Sequence, residues 1–152
     1  RRYVERLERT VINTLARFDV EGRIDPTHPG VWVGNDKIAA LGVAIRHAVT
    51  FHGFALNVDP DLRYFDWMIP CGISEAGLGT TSLRRELGEP VSLEAVLIEL
   101  EGSFAGIFER PLGHDLDAGD LLGSETGGAD CWRRQLVIDQ VIDEAVSLPG
   151  QP

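Results

Sequence analysis

A chain of 152 residues, 43 % apolar and 25 % charged, is long enough for one domain with a real core. No apolar run approaches the roughly 20 residues that span a bilayer, and the start carries no signal-peptide pattern, so no membrane partner is expected. The net charge of −10 argues against a nucleic-acid partner, whose phosphates need a basic face.

The chain opens on Arg1-Arg2, without methionine and already in a helical pattern, so further residues upstream are expected. Val4, Leu7, Val11, Leu15 and Phe18 recur at helical spacing, with Glu5, Arg6, Glu8, Arg9 and Arg17 largely opposite. This predicts an amphipathic helix over residues 3–18 that packs on a sheet. Asp25-Pro26-Thr27-His28-Pro29-Gly30 is dense in turn-formers and reads as a loop. Val31-Trp32-Val33 is a short strand and Gly34-Asn35-Asp36 a hairpin turn. Residues 37–45 then read as one buried strand with little bulk at Ala39, Ala40 and Gly42, where a ligand or another backbone can come close.

Val49 to Val58 is a second β-type run and contains His52-Gly53-Phe54-Ala55. Asp59-Pro60-Asp61 opens a short helix carrying Leu62 and Phe65, and Trp67-Met68-Ile69-Pro70 leads into Cys71-Gly72. The cysteine is thus expected in a loop at a strand end, where a scaffold presents reactive groups. Ser82 to Leu87 is a short helix stopped by Gly88. Ser92 caps a longer one reaching about Phe108, with a stripe of Leu93, Val96, Leu97, Leu100, Phe104 and Ile107. Pro111 to Asp130 has no periodicity, and Leu136 to Val146 returns to helical spacing.

Lys37 is the only lysine, beside thirteen arginines. Its ammonium has a pKa that the surroundings can move, which a guanidinium does not offer. An ammonium beside a thiol lowers the thiol's pKa, and a neutral lysine can take a proton from an incoming amine. Lys37 and Cys71 are therefore the candidate reactive pair. By residue type alone a lone cysteine is more often a small buried hydrophobe, and Cys131 reads that way. Two cysteines make no disulfide framework and fit a reducing cytoplasm. His52 by itself is more often a satisfied polar residue than a catalyst. His28, His47 and His114 lack metal-ligand spacing, so no metal site is expected. Neither GxxxxGK[ST] nor GxGxxG occurs, so no nucleotide cofactor is expected.

Four strings in order, Gly30-Val31-Trp32-Val33, Lys37-Ile38-Ala39-Ala40-Leu41-Gly42-Val43, His52-Gly53-Phe54-Ala55-Leu56-Asn57 and Ile69-Pro70-Cys71-Gly72, carry a specific resemblance. Over residues 2–108 the chain resembles the lipoate-biosynthesis octanoyltransferases. The resemblance implies an α/β fold, a mixed sheet with flanking helices like that of the biotin and lipoate protein ligases. Residues 1–110 would be the C-terminal portion of that catalytic domain, and 111–152 a Gly/Asp-rich linker plus a helix. It implies octanoyl transfer from acyl carrier protein, through a cysteine thioester, to a lysine of a lipoyl domain. The acceptors would be the 2-oxoacid dehydrogenase complexes and the glycine cleavage H protein. Carried over by position, Cys71 is the nucleophile and Lys37 lowers its pKa. Ala40, Leu41, Gly42, Gly53, Phe54 and Ala55 line the acyl site, with backbone amides facing the thioester carbonyl as an oxyanion hole. His52 is a possible further member. No cofactor is implied, because a thioester arrives already activated.

The family's upstream signature, Arg-Gly-Gly followed by His-Gly-Pro-Gly-Gln, has no counterpart in this chain. Three rival readings follow from the same residues. An ATP-dependent lipoate–protein ligase shares the fold but has no need of the Cys71 thiol. A truncated, non-catalytic domain would only bind a carrier protein. A cysteine hydrolase would need a positioned histidine, and only His52 is available. Arg46, Arg63, Arg84 and Arg85 are the candidates for meeting an acidic carrier.

Overall fold

The computed structural model describes residues 2–46, 49–67, 77–109 and 135–137. Helix α1, Arg2–Ala16, forms as its spacing predicts, burying Leu7, Val11 and Leu15. Its buried face is wider than the apolar stripe and includes Thr10, Thr14 and Glu8. The two threonines are tolerated there because their hydroxyls donate to carbonyls one turn back, Thr10 to Arg6 at 3.0 Å and Thr14 to Thr10 at 2.9 Å. Glu8, expected on the solvent side, is 6 % exposed, because α1 is covered by more than one neighbour.

Strand β1, Arg23–Ile24, pairs antiparallel with β2, Val31–Val33. A tight turn at Gly34-Asn35 returns the chain as β3, Asp36–Leu41, with Val33 opposite Asp36 and Trp32 opposite Lys37. Gly34 has φ +56, the backbone a turn of this hand requires. The far edge of β3 is shared. Its end pairs with β6, Phe54–Asn57, and its start pairs in parallel with β7, Gly79–Thr80. The order is β1-β2-β3-β6-β8, where β8 is Gln135–Val137, with β7 joined to β3; β4, Ala44–Arg46, and β5, Val49–Phe51, form a separate two-stranded sheet.

Two long β runs were expected, and each is broken in two. Residues 37–45 divide into β3 and an exposed β4, Ala44–Arg46; Val49 to Val58 divides into β5, Val49–Phe51, and β6. The breaks face each other at Gly42-Val43 and His52-Gly53, where His52 takes φ +66 and the Gly42 N–H still donates to Gly53 O at 2.9 Å. Pairings on the two sides, Leu41 with Phe54 and Ala44 with Phe51, keep one register. The four strands are therefore a single antiparallel ribbon bent at its middle.

A 3₁₀ helix, Leu62–Trp67, follows β6. Helix α2, Leu83–Leu87, is capped by the Ser82 hydroxyl and ended by Gly88 at φ +74. Helix α3, Leu93–Phe108, starts at a Ser92 cap and buries Val96, Leu97, Leu100 and Phe104, as its stripe predicts. The core joins α1 and α3 to Val31, Ile38, Ala39, Phe54, Leu56 and Val58 of the sheet region. At the far end of the helix pair Phe104 stacks on Phe108 at 4.3 Å, and Tyr3 meets Phe108 edge-on at 5.9 Å. One expectation is overturned: Gln135–Val137, where a helix was to begin at Leu136, forms strand β8 antiparallel to β6. Helical spacing in Leu136 to Val146 was outweighed at its start by pairing with an open strand edge, and the rest of that segment lies outside the described residues.

Candidate active site

Lys37 stands at the best-anchored point of the sheet. It pairs with Trp32 on one edge and Thr80 on the other, and its carbonyl accepts from Thr81 N at 3.0 Å. The residue is 7 % exposed, an unusual place for an ammonium, and its Nζ lies 4.9 Å from the centroid of the Trp32 ring. Beneath it, Gly30 has φ +131, and a methyl there would lie 3.3 Å from Lys37 Cε and 2.5 Å from Ala39 O. Gly30 is thus required twice, by its backbone angle and by the lysine stem that occupies its side-chain space.

Glu8 meets the Gly30 backbone. Burial pushes its carboxyl pKa up, a hydrogen bond from the Gly30 backbone opposes that, and Glu5 adds to the rise. The loop ahead of Gly30 is fixed by Asp25, whose Oδ1 accepts from Thr27 N at 2.9 Å and His28 N at 3.0 Å. Hydrogen bonds from Thr27 and Arg23 hold the Asp25 carboxyl well below the usual carboxylate range. Trp32 and Gly30 stand in a string that carries the resemblance but were given no role of their own, and Glu8 was expected on the solvent side of α1. The turn is Gly34-Asn35, one residue shorter than the Gly34-Asn35-Asp36 turn expected, and this sets position 32 opposite 37.

The six residues expected to line the acyl site come together as neighbours on the ribbon: Ala40 opposite Ala55, Leu41 opposite Phe54, and Gly42 bonded to Gly53. Strand alternation divides them between faces. Leu41 and Phe54 share the core face with Ala39 and Leu56, while Ala40 and Ala55 share the other; the register shift between Val31 and Trp32 sets Lys37, opposite Trp32, off the face of Ala39, opposite Val31. The Gly42 amide is engaged with the Gly53 carbonyl at 2.9 Å, so it is not a free oxyanion donor. His52 is exposed, with its ring 4.7 Å from that of Phe51. The path from Lys37 along the ribbon to the position opposite His52 is roughly 20 Å at about 3.3 Å per residue. Cys71 lies outside the described residues, as does Cys131.

Of the four arginines considered for an acidic partner, Arg84 pairs with Asp59 at 3.0 Å and Arg63 chelates the Asp61 carboxylate, lowering its pKa to about 2. Arg85 donates to Thr80 O at 3.3 Å, and Arg46 is exposed on β4. Arg63, Arg84 and Arg85 line an open groove of about 730 Å³ between the 3₁₀ helix and α2. Among the described residues no group of three or more His, Cys, Asp or Glu could hold a metal ion, and no helix is long and apolar enough to cross a membrane.

A helix-backed mixed sheet with a buried lysine on its central hairpin defines an α/β catalytic-domain class, and comparison with known proteins makes the class specific. Residues 1–105 match the lipoyl protein ligase A/B catalytic domain, and the chain belongs to that family. It is 47 % identical over 118 residues to the octanoyltransferase of Parvibaculum lavamentivorans, covering 72 % of this chain and 51 % of that protein. It is 45 % identical over 111 residues to the octanoyltransferase of Rubrobacter xylanophilus, covering 72 % and 49 %. With that of Paramagnetospirillum magneticum the identity is 48 % over 111 residues, covering 70 % and 51 %. The chain thus spans about half the length of these relatives. A protein of T. acidophilum assigned as a lipoate protein ligase shares the fold, with a TM-score of 0.57, 17 % identity, and coverage of 74 % of this chain and 47 % of that one.

Proposed function

We propose that the protein carrying this chain transfers an octanoyl group from acyl carrier protein to the ε-amine of a lysine on a lipoyl domain, through a thioester on Cys71. The observation that carries the reading is the 47 % identity to a protein named octanoyltransferase, within a family match that spans both Lys37 and Cys71. Lys37 supports it physically, because a desolvated ammonium on a rigid strand favours a neighbouring thiolate most strongly when water does not screen it.

The Cys71 thiolate attacks the carbonyl carbon of the carrier's octanoyl thioester. A C–S bond forms, the tetrahedral oxyanion collapses with cleavage of the carrier's C–S bond, and the carrier thiol leaves with a proton from the Lys37 ammonium, which becomes neutral. The lipoyl-domain amine then attacks the octanoyl-Cys71 carbonyl and gives up a proton as the C–N bond forms, regenerating the Cys71 thiolate. Lys37 steadies that thiolate in both halves and, when neutral, accepts the amine's proton. Ala40 and Ala55, on the ribbon face away from the apolar cluster, leave room for an acyl chain.

The test is to incubate the full-length protein with octanoyl-acyl carrier protein, without ATP. One octanoyl mass should be added and removed by hydroxylamine. Retention of the adduct in Cys71→Ala would overturn the assignment, and an absolute need for ATP would favour a ligase.

A further inference from the structure

Trp32 is fully buried, yet among the described residues it stands outside the apolar cluster that joins α1, α3 and the sheet. Several polar groups meet it. The indole N–H donates to His28 O at 3.0 Å, and the His28 ring meets it edge-on at 5.8 Å. The Arg23 guanidinium lies 6.0 Å from its centroid and the Lys37 ammonium 4.9 Å. The ring is itself locked, because His28 belongs to the loop that Asp25 ties at Thr27 N and His28 N.

A lysine has a flexible four-carbon stem and a point charge, so burial alone does not set where its ammonium stands. An indole face attracts a cation within about 6 Å, most strongly when the cation is desolvated. Lys37, at 7 % exposure, meets that condition, and the side-chain space vacated at Gly30 takes its Cδ and Cε. The β2–β3 hairpin holds the two residues directly opposite each other.

We propose that Trp32 is a positioning residue for Lys37, its indole face and the Gly30 gap together fixing the ammonium where the reaction uses it. The inference rests on the reading of Lys37 as the group that serves the Cys71 thiolate. It adds a specificity of residue type: position 32 needs an aromatic face as well as apolar bulk.

The lysine can be observed directly. In the full-length protein labelled with [¹³Cε]lysine, the Lys37 resonance is assigned by its loss in Lys37→Arg. Its ε protons should be shifted upfield by the indole ring current. The shift should vanish in Trp32→Leu and persist in part in Trp32→Phe. Octanoyl transfer should fall about tenfold in kcat in Trp32→Leu, the order expected for losing one desolvated cation–π contact, with KM for the carrier little changed and partial recovery in Trp32→Phe. Absence of the upfield shift in the wild type, or the same shift in Trp32→Leu, overturns the proposal. So does equal loss of transfer in the leucine and phenylalanine variants. Should Trp32→Leu fail to fold, the wild-type and Trp32→Phe spectra decide. The spectra are independent of the thioester, so acylation persisting in Cys71→Ala would sink the proposed reaction while leaving the lysine's position established.

Discussion

The inner half of the ribbon, Ala39 to Leu41 against Phe54 to Leu56, and the outer half, Ala44 to Arg46 against Val49 to Phe51, run in one register. Both come from stretches dominated by small and apolar residues. In the inner half Ala39 and Leu56 are fully buried and Phe54 is 3 % exposed, whereas Ile45 in the outer half is 73 % exposed. The inner half has α1, β2 and β8 as neighbours; the outer half pairs only within itself among the described residues. The bend at Gly42-Val43 and His52-Gly53 is where one environment gives way to the other. A run of β-type residues therefore specifies a strand, while burial, and with it the capacity to hold a desolvated ammonium, comes from what packs on the strand.

The comparison sharpens most at Lys37. Lys37→Arg keeps the charge but places a planar fork that does not lose its proton. Octanoyl transfer should drop by about 100-fold or more, the scale of a lost general base, as measured by steady-state kinetics. Arg46→Lys on the outer half should leave it unchanged.

Next is the core itself. Ile38→Ala should cost about 2–5 kcal/mol in urea unfolding, through lost burial and a cavity. Ile45→Ala should stay within about 0.5 kcal/mol, since its side chain already meets water. Similar costs at the two sites would mean that the outer arm is covered.

Two glycines make a smaller contrast. Gly30→Ala puts a methyl 2.5 Å from Ala39 O at φ +131 and should cost about 1–3 kcal/mol while displacing the Lys37 stem. Gly42→Ala, with nothing within 4 Å, should be nearly silent in the same measurement.

The smallest expected effect is a pH dependence at Glu8. Its folded pKa lies above the ordinary 4.5, so the native state binds this proton more tightly than the unfolded chain. Stability should fall as pH rises from about 4.5 through the raised value, and Glu8→Gln, which still accepts from Gly30, should lack that decline. Parallel unfolding curves for the two proteins across this range would remove Glu8 from the buried side of the comparison.

Much of the architecture was legible without coordinates. Local rules placed α1, the Ser92 cap, the Gly88 stop and a hairpin turn starting at Gly34, because each depends on residues a few positions apart. The expected three-residue turn would have set Val33 opposite Lys37; the two-residue turn puts Trp32 there. Periodicity failed for Gln135–Val137, which became a strand, and for the ribbon, whose bend interrupts two apparently continuous runs.

Lys37 was conspicuous in the sequence as the only lysine, and the spacing of its motifs pointed to a family and a chemistry. Only the tertiary structure put Glu8 against the Gly30 backbone, β7 along the free edge of β3, and an indole under the ammonium. These contacts join residues far apart in the chain or turn on which side of a strand is covered. A lysine's identity is written locally, but its desolvation and its fixed position are properties of everything folded around it.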